Sequence, residues 1–151
     1  MTNVRRLSTL TAAGTAVVAG AAMWLVAGAG PADAATAAPC SAAARACVDL
    51  ATQQAWLMRD GVVDYGPVAV KTGRASAPTE PGTFHVTYKD RYHVSSVYDA
   101  PMPYSVFFHG GDAFHEGSLA ESSHGCVHMT RGAAETFYAD LAPGDEVQVV
   151  S

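Results

Sequence analysis

The sequence predicts a mainly β domain of sandwich or barrel type with one short helix close to the C-terminus. Three observations point there. Short alternating apolar runs are broken by turn signals every eight to twelve positions or so. A single stretch, Thr130 to Leu141, has helical spacing. The chain then closes on Glu146-Val147-Gln148-Val149-Val150, which alternates as a half-buried strand does.

Taken in order, Val48 and Leu50 alternate with polar neighbours. Ala55-Trp56-Leu57-Met58 runs into Asp60-Gly61, a two-residue hairpin signal, and Val62-Val63 starts the return strand. Val68-Ala69-Val70 reads as a further short strand. From Thr72-Gly73 to Pro81-Gly82 the chain is a long turn-rich loop holding Pro78, of the kind that lines sites. Phe84, Val86 and Tyr88 alternate along the next strand, and Tyr92-His93-Val94 follows Lys89-Asp90. Tyr104 to Phe108 is more continuously apolar than the other strands, suited to burial. The helix starts behind Thr130 as N-cap, aligns Ala133, Ala134, Phe137, Tyr138 and Leu141, and stops before Pro143-Gly144.

Residues 1–34 read as an export signal. Arg5 and Arg6 form its basic start, the chain from Leu10 to Gly30 is almost wholly apolar or small, and Ala32-Asp33-Ala34 is a small-x-small cleavage pattern. The general secretory route is preferred to twin-arginine export, and an uncleaved anchor is the alternative. Membrane contact is expected only through this signal. The mature remainder, about 115 residues, is enough for one core. It divides into an N-terminal segment, 35–46, and a domain over 47–151. The net charge of −5 falls to about −6 without the signal, and no basic stripe, zinc-finger spacing, phosphate loop or repeat appears. Nucleic acid is therefore excluded as a partner, and a secreted monomer without cofactor or metal is expected.

Three cysteines in an oxidising compartment leave one unpaired. Cys40 and Cys47 lie close together and are the expected disulfide, which leaves Cys126 free. It sits in Ser123-His124-Gly125-Cys126-Val127-His128-Met129, between two imidazoles in a turn softened by glycine. A thiol attacks as thiolate, and a free one near pKa ~8.5 needs a base or positive charge to do so at neutral pH. Helix dipole and exposed N–H groups near Thr130 are expected to favour the thiolate further. Gly125 and Cys126 offer backbone N–H groups for an oxyanion. Two residues compete as base: His115, in Gly111-Asp112-Ala113-Phe114-His115-Glu116-Gly117, and His109, which ends the preceding strand.

Ser123-His124-Gly125-Cys126-Val127 resembles the signature of the L,D-transpeptidase catalytic domain, also called YkuD-like. Pro78-Thr79-Glu80-Pro81-Gly82-Thr83-Phe84 is similar to the family's proline-rich strand entry. Met102-Pro103-Tyr104 with Gly110-Gly111 resembles the approach to its site, and Gly144-Asp145 to Val150 its closing strand. The chain departs from many members in carrying His128 where they have arginine, and in a short connection between the upstream histidine and the cysteine.

The resemblance implies Cys126 as nucleophile, His115 as proton donor and acceptor, and His124 as an orienting residue or secondary base. Ser123, His128, Tyr104 and His109 are the expected substrate contacts. It implies peptidoglycan stem peptides as substrates, cleavage between an L-centre and a D-residue, transfer to an amine of a neighbouring stem, association with the cell wall, and acylation by carbapenems. Water as acceptor makes an L,D-carboxypeptidase instead. Two other classes stand beside these: a zinc site built from His115, His124, Cys126 and His128, and a wall-binding module with an inert cysteine.

Overall fold

The structure is a computed structural model that describes residues 37–151. The export signal falls outside the described residues. Among the described residues nine strands form one sheet in the order β4-β9-β1-β2-β3-β8-β7-β6-β5. In chain order they are β1 (Ala46–Asp49), β2 (Gln54–Arg59), β3 (Val62–Lys71), β4 (Gly82–His85), β5 (Tyr88–Ser95), β6 (Ala100–His109), β7 (Asp112–Glu116), β8 (Val127–Met129) and β9 (Glu146–Val150). Among the described residues one helix, α1 (Arg131–Asp140), lies between β8 and β9.

The fold is mainly β with one short helix, as the alternation predicted. Its layers come from one sheet that curls on itself. Phe84 on edge strand β4 meets Phe108 on β6 with ring centroids 6.0 Å apart, and Phe108 and Phe137 both pack on Phe114. Phe137 projects from α1 into this closure and is 0% exposed, which gives the helix its buried face. Thr130 caps α1 by accepting from the Ala133 N–H, and the Leu141 N–H bonds back to the Phe137 carbonyl where the helix ends.

Several elements differ from the sequence reading. Val68-Ala69-Val70 is the last part of the longer strand β3, which pairs with β2 from Val62 to Ala69 and with β8 through Val70 and Lys71, so β3 joins the two halves of the sheet. The run Phe84-Val86-Tyr88 is two strands. Phe84 belongs to β4 and pairs with β9, whereas Tyr88 begins β5 and pairs with β6. Apolar alternation continues through this change of partner and so conceals it. Two short strands went unseen: β7, which carries His115, and β8, which begins directly after Cys126.

Cys40 and Cys47 form the expected disulfide. It ties the segment before the sheet to β1, and Cys47 packs in a small cluster with Ala44, Trp56 and Met58.

Candidate active site

The cysteine turn is held from both sides. Ser123 pairs with Gly73, its N–H donates to the Thr72 carbonyl, and its carbonyl accepts from the Arg74 N–H. Its hydroxyl donates to the Cys126 carbonyl and accepts from the Gly125 N–H at 3.1 Å. Ser123 is therefore a brace whose hydroxyl is spent within the turn, rather than a free substrate contact. The Gly125 N–H, expected as an oxyanion donor, is engaged by the same hydroxyl. Gly125 has φ +122°, and a Cβ there would meet the Asp112 carboxylate at 2.1 Å, so both backbone shape and space demand glycine.

Thr79, in the loop between β3 and β4, reaches the turn from beneath. Its hydroxyl donates to the Gly125 carbonyl at 2.7 Å and accepts from the Gly73 N–H at 2.9 Å, at 2% exposure. Replacing it with valine strands a buried donor and acceptor, worth about 1–3 kcal/mol. Thr79→Val is expected to lower stability by that amount in urea unfolding and to slow covalent labelling of Cys126, with Thr79→Ser restoring most of both. A Thr79→Val chain that matches the wild type in both measurements removes this role.

The parallel pairing of β7 with β8 sets His115 opposite His128. Side chains alternate along a strand, so Cys126, two residues before His128, is directed to the same face. Its sulfur lies 3.8 Å from the Gly111 carbonyl. Cys126 and His115 both line one cleft of about 690 Å³, together with Ser123, His124 and His128. A volume of that size holds a short peptide segment.

His115 is 5% exposed, and its Nδ1 lies 2.7 Å from the Glu116 carbonyl. A carbonyl only accepts, so Nδ1 carries the hydrogen in the neutral ring and Nε2 keeps the lone pair. Burial, with smaller contributions from nearby His128 and His93, pushes its pKa down to about 4 against the pull of that carbonyl. Burial likewise pushes the Cys126 thiol up to about 11, and the Asp112 carboxylate adds to this while a hydrogen bond with the Ala113 backbone opposes it. At neutral pH the pair rests as thiol and neutral imidazole. This corrects the expected thiolate: strand β8 stands between Cys126 and α1, and desolvation outweighs what the turn supplies.

His128 packs edge-on to His115 at 4.8 Å between centroids, with Nδ1 3.1 Å from the Ser118 carbonyl. Gly117 makes room for this ring, since a Cβ there would stand 2.7 Å from it. His124 is exposed and stacks on Tyr98, from the β5–β6 connection, at 4.4 Å. The four residues considered for zinc do not converge: His115 and His128 pack against each other but turn their Nδ1 atoms to different carbonyls, and His124 stacks on Tyr98. Among the described residues no group of three or more His, Cys, Asp or Glu is placed to hold a metal ion.

Two expected contacts lie elsewhere. Tyr104, at 6% exposure, faces α1, where its ring packs on Tyr138 and its hydroxyl meets Arg131 Nη2 at 3.1 Å. His109 is exposed at the end of β6, against Phe84 at 4.3 Å and 3.6 Å from the Asp112 carboxylate. Neither lines the cleft. Tyr98, His93, Asp112 and Glu121 do line it, and the sequence reading gave them no role. Asp112 entered that reading only as part of the stretch that carries His115, and Tyr98 stands too far along the chain from Cys126 for any spacing rule to join them.

A curled, mainly β domain that sets a free cysteine and a buried histidine in one peptide-sized cleft has the form of a catalytic domain. The L,D-transpeptidase catalytic domain profile, YkuD, matches residues 43–149, and the chain belongs to that family. Among solved structures it resembles an L,D-transpeptidase from Stackebrandtia nassauensis, with 33% identity over 70% of this chain and 54% of that one and a TM-score of 0.67. It is also similar to one from Mycobacterium tuberculosis H37Rv, with 26% identity over 69% and 56% and a TM-score of 0.64. A third, from Xylanimonas cellulosilytica, is 25% identical over 68% and 57% with a TM-score of 0.62. The chain therefore spans a little over half the length of these relatives. No curated protein matches it.

Proposed function

We propose that the chain is an exported, cell-wall-associated L,D-transpeptidase that works as a monomer on peptidoglycan stem peptides, with Cys126 as nucleophile and His115 as general base. The observation that carries this reading is the pairing, in one cleft, of the free thiol with a buried imidazole whose Nδ1 is committed to a carbonyl. Family membership supplies the substrate class. The N-terminal signal pattern and the Cys40–Cys47 disulfide support an extracytoplasmic location.

In the first half-reaction His115 Nε2 takes the thiol proton as Cys126 Sγ attacks the carbonyl between the L-centre and the D-residue. The oxyanion is met by the Cys126 N–H, because the Gly125 N–H is already engaged. Collapse breaks the C–N bond, and the proton held on His115 passes to the departing D-residue amine. A thioester remains. An amine of a second stem then attacks it, and the new amide leaves as the thiol is restored. Strand β7 holds His115, and Cys126 directly precedes β8, its parallel neighbour, so little reorganisation is needed.

The test is to incubate the mature chain with a donor tetrapeptide and a diamino-acid acceptor stem, and to analyse the products by mass. A cross-linked dimer with release of the terminal D-residue is expected. Release of that residue without a dimer identifies a carboxypeptidase, and intact donor with no thioester on Cys126 overturns the reading.

A further inference from the structure

We propose that Asp112 selects the acceptor, drawing a positively charged amine to the acyl-enzyme in preference to water or other neutral nucleophiles. This rests on the transferase reading above and names a residue for its second step.

Asp112 opens β7 and lines the cleft together with the nucleophile. Its Oδ1 is packed so closely over Gly125 that no side chain fits there, which fixes the carboxylate against the turn that carries the thioester. On its far side it meets His109 Nδ1, 3.6 Å from Oδ2, beyond the length of a hydrogen bond. Half-buried, it is free to meet a second partner from the cleft.

The charge of the surroundings points the same way. The cleft is lined by three carboxylates, Asp112, Glu116 and Glu121, and by no lysine or arginine among the described residues. Glu116 is drawn toward Arg131 at 3.8 Å, and Glu121 belongs to the connection that leads to the cysteine turn, so Asp112 is the acid set against the turn itself. An anion beside Cys126 opposes ionisation of the thiol, as its upward push on that group shows. It therefore does not help to form the thiolate in the first half-reaction. The step it does favour is the one in which a cation approaches.

The chemistry balances without a further reactant. An ammonium held near Asp112 gives one proton to His115 Nε2, and this passes to solvent. The amine nitrogen attacks the thioester carbonyl and the C–S bond breaks. The second nitrogen proton returns through His115 to Sγ, leaving an amide, the free thiol and one released proton.

The acyl-enzyme formed from a donor tetrapeptide is divided between two probes, Nα-acetyl-lysine amide, cationic at neutral pH, and hydroxylamine, which is uncharged there. The readout is the ratio of the two captured products by mass. Asp112→Asn is expected to lower the lysine-to-hydroxylamine ratio about fivefold or more, the scale of one partly solvated charge pair. In the wild type, raising salt from about 0.02 to about 0.5 M is expected to lower the same ratio, and to do so far less in the variant. A ratio that moves with neither the substitution nor the salt overturns the proposal even where the thioester forms normally. A wild-type chain that never forms the thioester removes the transferase reading, and this proposal with it.

Discussion

Replacing Cys126 with serine is expected to abolish covalent capture, so that intact-mass analysis after exposure to a carbapenem or a donor tetrapeptide shows one adduct on the wild type and none on Cys126→Ser. The sequence holds three cysteines, and the disulfide consumes Cys40 and Cys47. One free thiol remains. Thiol titration of the folded chain should therefore count one group, and three after reduction in denaturant. The half-buried environment of Cys126 also sets how that thiol behaves toward simple reagents. Its pKa near 11 keeps it protonated at neutral pH, so alkylation by iodoacetamide should be slow there and accelerate well into the alkaline range. Acylation by a true substrate should be fast at neutral pH all the same, because His115 removes the proton during attack. Slow alkylation with fast acylation separates a general-base mechanism from a standing thiolate. An adduct that survives Cys126→Ser assigns the chemistry to another residue.

What the sequence disclosed follows from which physical signals are local. The helix was legible because Thr130, the apolar spacing and Pro143-Gly144 mark its start, face and end within a dozen or so residues. The disulfide was legible because two of three cysteines lie seven residues apart. The cysteine turn declared itself through Ser123, Gly125 and the flanking imidazoles. Register and strand partners did not. The shift from β4 to β5 falls within unbroken alternation, and whether Phe84 and Tyr88 share a strand depends on β9 and β6, which are distant in sequence. Tyr104 sits beside a family-like motif yet serves the helix face, and nothing in its neighbours announces Arg131 and Tyr138 as its partners. Burial was the costliest omission. The residues around Cys126 suggested a lowered thiol pKa, while the packed sheet raises it.

The choice between His115 and His109 turns on that same burial. His115→Gln keeps the size of the ring roughly but takes no proton, and is expected to slow acylation of Cys126 by about 10²–10⁴-fold, the usual worth of a positioned base. His109→Ala should cost far less, since that ring is exposed and lies outside the cleft. The pH dependence adds a sharper readout. With the pair resting as thiol and neutral imidazole, the acylation rate should rise as pH increases through about 4 and then run flat across neutrality. The same group ties folding to acid. Its pKa is lowered from 6.5 to about 4 in the folded chain, so the unfolded chain binds the proton more readily between those values. The stability it contributes is therefore fully present above 6.5 and is lost as pH falls toward 4, a change on the order of 3 kcal/mol. Urea unfolding followed from pH 7 to 4 should show this slope in the wild type and a flatter one in His115→Gln. A wild-type acylation profile that instead rises near pH 6.5, together with an unchanged unfolding slope in the variant, would show an imidazole open to water and return His109 to contention as the base.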